Sequence, residues 1–193
     1  MYYFFASLAY NIQQDKGVEF KHIYICLNPT PILLLRVIYM CGIAGEISTR
    51  KQPLSQKEVY GSMLRSLEKR GPDQSGIYLT DTVALVHSRL CVMDIEKGIQ
   101  PMSYKDDFCE YILVYNGELY NTREIRSELI NAGHSFRGHS DTEVVLHSYI
   151  QWGKDCAKRL NGIFAFSVWD SKNRSLFFAR DRMGVKPFFF TLR

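Results

Sequence analysis

The sequence predicts an α+β domain built on antiparallel sheets. Three observations point there: strand-like segments outnumber helical ones, most of them are joined by short turns, and the helical stretches open on recognisable start signals. At 193 residues the chain is long enough for one full domain with a closed core and too short for two of ordinary size. Its 46% hydrophobic and 23% charged residues set it among globular proteins and away from disordered or fibrous chains.

The first forty residues differ in texture from the rest. Their long apolar stretch, Ile23 to Met40, is cut by Asn28, Pro29 and Pro31 and then by Arg36. A membrane span needs about twenty nearly uninterrupted apolar residues, and the Pro-x-Pro breaks a helix early. The run from Ile32 to Tyr39 lies too deep in the chain for a secretory signal and lacks a small-residue cleavage pattern. Residues 1–40 are therefore expected to be an extension outside the working domain, from a mis-assigned start or a removed segment, with residues 41–193 as that domain.

From Cys41 onward the elements follow one another regularly. Cys41 to Ile47 reads as a buried strand opening on small residues. Ser55 and Glu58 have capping-box spacing, and Val59, Met63 and Leu67 recur every four residues, predicting a helix to about Lys69. Strands are predicted at 76–79, 83–87 and 111–115. Thr122 to Ala132 places Ile125, Leu129 and Ala132 on one helical face and stops at Gly133. Ser140 with Glu143 is a second capping box, opening a helix through Val144, Val145 and Tyr149. A strand at 162–170, a turn at 170–174 and a return strand at 175–179 form a hairpin.

Charge and cysteine usage narrow the function classes. A net charge of +4, with no run of five or six like charges, implies no nucleic-acid partner. Five cysteines at irregular spacings, without a C-x-x-C pair, suggest neither a zinc site nor a disulfide framework, and a reducing compartment fits. His134, His139 and His147, five and eight apart, do not share a helical face, so no metal site is expected.

Six short blocks occur in order: Met40-Cys-Gly-Ile-Ala-Gly45; Arg70-Gly-Pro-Asp73 with Ser75-Gly76; His87-Ser-Arg-Leu90 with Asp94; Asn116-Gly-Glu-Leu-Tyr-Asn121; Ser140-Asp-Thr-Glu143; and Arg180-Asp-Arg-Met-Gly-Val-Lys-Pro187. This series resembles the class II glutamine amidotransferases, of the N-terminal-nucleophile hydrolase superfamily, over about 150 residues. Pro72, where other branches carry Tyr or Gln, resembles the asparagine synthetase branch. The resemblance implies a four-layer αββα sandwich of two antiparallel sheets, and hydrolysis of L-glutamine to glutamate and ammonia.

The chemistry fits those residues. Opening a carboxamide needs a nucleophile, a base and donors for the oxyanion. Cys41 is the implied nucleophile. If Met40 is the initiator, or the chain is cut after it, Cys41 gains an α-amine of pKa about 8, near the thiol's about 8.5, and that amine can take the thiol proton. The Asn116 amide and the Gly117 N–H are the implied oxyanion donors. Asn-Gly is also a strong tight-turn signal, and a turn would aim both donors at one point. By resemblance Arg89 pairs with the glutamine carboxylate, Asp141 with help from Glu118 pairs with the ammonium, and Leu90 and Met93 line the site. Arg70 and Asp73 either shape their loop or meet substrate. Arg180, Asp181, Lys186 and Pro187 are expected to close the sheet and face a following domain.

Glutamine hydrolysis needs no metal or organic cofactor. ATP and magnesium are implied for the family's C-terminal synthetase domain alone, and residues 41–193 carry no Gly-rich phosphate loop. The expected partners are L-glutamine and a synthetase domain or subunit that accepts ammonia, with neither membrane nor nucleic acid, in the cytoplasm. Two other readings stand beside this one: a truncated, non-catalytic module that binds glutamine or a partner, and an amidotransferase serving a different ammonia acceptor.

Overall fold

The computed structural model describes residues 10–13, 22–26, 40–48 and 54–192, the first two segments through their backbone alone. In chain order these form β1 (Tyr10–Gln13), β2 (His22–Cys26), β3 (Gly42–Ser48), α1 (Lys57–Leu67), β4 (Gln74–Leu79), β5 (Val83–Arg89), β6 (Met102–Lys105), β7 (Glu110–Leu119), α2 (Thr122–Asn131) and α3 (Asp141–Trp152). A 3₁₀ turn (Gly153–Asp155), α4 (Cys156–Arg159), β8 (Gly162–Asp170), β9 (Ser175–Arg180) and β10 (Phe189–Leu192) follow.

The strands make two five-stranded sheets, one ordered β1-β9-β8-β7-β6 and the other β10-β2-β3-β5-β4. Every pairing is antiparallel. The sheets face each other through Ile43, Ile47, Val83 and Leu85 on one side and Val114, Trp169 and Phe178 on the other. Because side chains alternate along a strand, the neighbouring residues Ala44, Ala84 and Val86 point the opposite way, onto Tyr60 and Leu67 of α1. Likewise Leu113, Phe166 and Phe177 pack on Ile125 and Leu129 of α2 and Val144 and Val145 of α3. The layers are thus helix, sheet, sheet, helix, as the sequence implies. A strand covered on both faces has no polar side, and so β3 and β5 are buried along their whole length.

Several local expectations are corrected. The helix α1 starts two residues after Ser55, with Gln56 at its N-cap and no side-chain cap; the Ser55 N–H donates instead to the buried Glu46 carboxylate at 3.3 Å. Its inner face carries Tyr60, whose hydroxyl reaches the same carboxylate at 2.7 Å, while Val59 is exposed. Ala132 is the exposed C-cap of α2 and does not join its buried face. The second capping box forms by half: the Ser140 hydroxyl accepts from the Glu143 N–H at 3.3 Å, but the Glu143 carboxylate accepts from Arg137 and Gly138, at 2.8 and 2.9 Å. Asn116-Gly117 is no turn. It lies inside β7, opposite Ala165 and Phe164 of β8.

Within residues 1–40, β1 pairs with β9, and β2 lies between β3 and β10. The apolar run at 32–39 lies outside the described residues. Among the described residues no helix is long and apolar enough to cross a membrane.

Candidate active site

One cavity of about 230 Å³ gathers all eight residues singled out from the sequence: Cys41, Arg89, Leu90, Met93, Asn116, Gly117, Glu118 and Asp141. They come from both sheets and one helical layer: Cys41 leads into β3, Arg89 ends β5, Asn116 to Glu118 lie in β7, and Asp141 is the first residue of α3.

Cys41 is held at the mouth of β3 by the Leu90 peptide. The Leu90 N–H approaches its sulfur at 3.4 Å, and the thiol donates to the Leu90 carbonyl at 3.7 Å. Burial pushes the thiol above its ordinary pKa, against opposing pulls from the Leu90 peptide and Arg89. Such a thiol needs a base to become a nucleophile.

Asn116 is 3% exposed, and its Nδ2 is a buried donor with no partner among the described residues. A buried amide left unsatisfied costs about 1 to 3 kcal/mol, which a ligand oxygen in the cavity recovers. Its neighbour Tyr115 fixes its position through three groups. The Tyr115 N–H donates to Gln100 Oε1 at 2.6 Å, its carbonyl accepts from His87 Nε2 at 3.1 Å across the sheets, and its hydroxyl donates to Asp141 Oδ2 at 2.8 Å. The Leu119 N–H also donates to that Asp141 oxygen, at 3.3 Å. Burial nevertheless raises the Asp141 pKa, so this carboxylate gains from a cation placed in the cavity.

Arg89 is 4% exposed, and its Nη atoms are engaged by the protein. Nη1 donates to the Ile95 carbonyl at 3.0 Å and Gln74 Oε1 at 3.3 Å; Nη2 donates to the Met93 and Asp94 carbonyls at 2.8 and 2.9 Å. The guanidinium therefore shapes the loop bearing Met93 as well as setting a positive charge beneath the cavity. The Asp94 carboxylate ties the same loop to the chain entering α3, accepting from the His139 N–H at 2.6 Å.

Lys186 corrects the sequence reading. It does not merely close the sheet: it lines the cavity beside Met40 and Cys41, 8% exposed, with Nζ 3.5 Å from the Met40 sulfur. Its neighbour Asp181 has the expected structural role, accepting from the Phe164, Val185 and Lys186 N–H groups at 3.3, 2.8 and 2.9 Å. Asp73 accepts from the Cys91 N–H at 2.7 Å, and the Arg70 carbonyl accepts from the Met40 N–H at 2.7 Å, so their loop braces the strand ends. Tyr115, Gln100, Thr142 and Ile163 also line the cavity and were not singled out. Tyr115 and Thr142 adjoin residues that were; Gln100 and Ile163 carry no sequence signal. The three histidines are not brought together. His134 and His147 share a hydrogen bond between their Nδ1 atoms at 2.9 Å, while His139 is exposed.

Comparison with known proteins shows the family of the chain. Residues 40–193 match the family described as glutamine amidotransferase domain, and the chain belongs to that family. It is 54% identical over 154 residues to asparagine synthetase [glutamine-hydrolyzing] 3 of Bacillus subtilis, covering 79% of this chain and 25% of that protein. It is 38% identical over 156 residues to asparagine synthetase [glutamine-hydrolyzing] 1 of the same organism, covering 79% of this chain and 24% of that one. The chain thus spans about a quarter of the length of these relatives. A solved structure of glutamine phosphoribosylpyrophosphate amidotransferase from B. subtilis aligns with a TM-score of 0.41 and 16% identity, covering 82% of this chain and 35% of that one.

Proposed function

We propose that this site, with Cys41 as the first residue of the processed chain, hydrolyses L-glutamine to glutamate and ammonia. The observation that carries the reading is the unpartnered Nδ2 of Asn116, buried in the same cavity as the Cys41 thiol. The α-amine of Cys41 takes the thiol proton, and the sulfur attacks the side-chain carbonyl carbon of glutamine. Asn116 Nδ2 and the Gly117 N–H then hold the oxyanion. Collapse releases ammonia, which receives the proton from the α-ammonium, and leaves a γ-glutamyl thioester that water hydrolyses. Asp141 and Glu118 pair with the substrate ammonium, and the charge of Arg89 favours its carboxylate. Leu90 and Met93 flank the chain between them.

No metal or organic cofactor enters these steps. We infer that the ammonia passes to a synthetase domain or subunit that uses ATP and magnesium to make asparagine, and that the protein works in the reducing cytoplasm, where Cys41 and Cys91 stay as thiols.

Protein isolated from its native host tests this directly. Its mass gives the first residue, and a diazoketone analogue of glutamine should label Cys41 alone. Cys41→Ala should abolish glutaminase activity, and a residue retained before Cys41 should prevent labelling, because an amide nitrogen is not basic. Label on another cysteine, or full turnover in Cys41→Ala, overturns Cys41 as the nucleophile, while absence of glutaminase activity in the native protein favours the non-catalytic module.

A further inference from the structure

Among the described residues the Lys186 ammonium has no carboxylate or carbonyl partner. Its backbone is fixed on both sides: the Lys186 N–H donates to Asp181 at 2.9 Å, and Phe188 stacks on Phe178 with ring centres 4.8 Å apart. This anchoring sets the side chain against the cavity wall at Met40. There Nζ meets the Met40 thioether at 3.5 Å, a weak acceptor for a group with three donors. Among the described residues no carboxylate forms an ion pair with it.

We propose that Lys186 is the positioning residue that keeps the Cys41 α-amine in its neutral, basic form; this rests on the reading of Cys41 as an N-terminal nucleophile. Removal of Met40 takes away the thioether that Nζ meets and leaves the new α-amine where the Met40–Cys41 peptide nitrogen stood. Arg89 and Asp141 act on the Cys41 thiol, Arg70, Asp181 and Glu118 act on Lys186, and Asp141 and Glu118 act on the Tyr115 hydroxyl beside them. Without Lys186 these carboxylates favour an ammonium at residue 41. An ammonium cannot accept the thiol proton. Lys186 adds a cation in the cavity wall beside Cys41, and protonation of the amine is opposed by this neighbouring like charge. Burial, and after it Arg70, hold the Lys186 pKa below its ordinary value.

The test uses protein isolated from its native host and shown by mass to begin at Cys41, with kcat/KM for glutamine measured from pH 5.5 to 9.5. Lys186→Met should move the rising limb to higher pH by about one unit, so that turnover falls roughly tenfold below the limb and converges with the unmodified protein above pH 9. Alkylation of Cys41 by iodoacetamide should shift in parallel. Lys186→Arg keeps the charge and should keep the original limb, while Lys186→Gln gives a second neutral replacement should the Met variant fail to fold. A uniform loss at every pH, or a limb that does not move in either neutral variant, overturns the inference while Cys41→Ala remains inactive. Turnover retained in Cys41→Ala instead overturns the function on which it rests.

Discussion

Asn116 Nδ2 is buried in the cavity wall without a hydrogen-bond partner among the described residues, and its replacement separates rate from binding. Asn116→Ala should lower kcat by about 10²- to 10³-fold, about 3 to 4 kcal/mol in barrier, with little change in KM or thermal midpoint, because Nδ2 has no partner in the fold to lose. A variant that instead melts early with kcat intact would show the amide to be structural. Recognition of the two charged ends of glutamine is tested in KM. Asp141→Asn should raise KM by about tenfold or more, since a charge-assisted hydrogen bond is worth about 1.5 to 3 kcal/mol. Arg89→Ala should raise KM and also lower the thermal midpoint, because its four donations to Gln74 and to the carbonyls of residues 93–95 go with it. If steady-state kinetics moved neither KM, the assigned pocket would be wrong. These residues were legible through the ordered blocks that carry the family resemblance, and the chemistry of amide hydrolysis gives each of them a use. The position of Lys186 was not, since a lysine in a loop reads as solvated until its backbone anchors are known.

At the scale of elements the site is a set of strand and helix ends, and two glimpses of it in the sequence had different fates. The cap at Ser140 was readable because Ser-x-x-Glu acts locally, and it places Asp141 at the first helical position, in the cavity wall. Ser140→Ala should cost about 1 kcal/mol of stability and raise the glutamine KM through Asp141, which a melt and a titration check together. Asn-Gly misled because turn propensity is local, whereas β7 is held on both sides, by β6 and β8. Gly117 is required there for space: a Cβ would lie 2.5 Å from the Ile163 carbonyl and 2.7 Å from the Phe164 Cα. Gly117→Ala should therefore part β7 from β8 at the oxyanion donors and lose activity with visible destabilisation. The β8–β9 hairpin was legible to within a residue, since alternation and turn agree. Four-residue strands such as β6 and β10 were not, because so short a run acquires its meaning from the neighbour it pairs with.

At the scale of the whole molecule the two sheets are joined not only by apolar packing but by one buried imidazole. His87 on β5 donates through Nε2 to the Tyr115 carbonyl on β7, is fully buried, and leaves Nδ1 as an unpartnered acceptor. Burial lowers its pKa from 6.5 to about 4, and burial together with the neighbouring His134 lowers that of His147 to about 4 as well. Protonating both His134 and His147 would set two N–H groups against each other at their shared Nδ1 contact. The sign follows from these shifts: His87 and His147 each bind a proton more readily unfolded than folded. The neutral forms therefore stabilise the fold fully above about pH 6.5, and that stability drains away as the pH falls toward 4. For His87 the loss amounts to about 3 kcal/mol, from 2.5 pH units between the two pKa values. Because the same imidazole holds the strand position next to Asn116, glutaminase activity should fall with acid together with stability, in addition to titration of the nucleophile. Denaturant midpoints between pH 7.5 and 4.5 measure this. His87→Gln retains a donor for the Tyr115 carbonyl and removes the titration, so its midpoint should fall less steeply below pH 6.5 than that of the unmodified chain. Parallel pH profiles for the two proteins would mean that His87 carries no part of the acid sensitivity and that the histidine pair at α3 accounts for it.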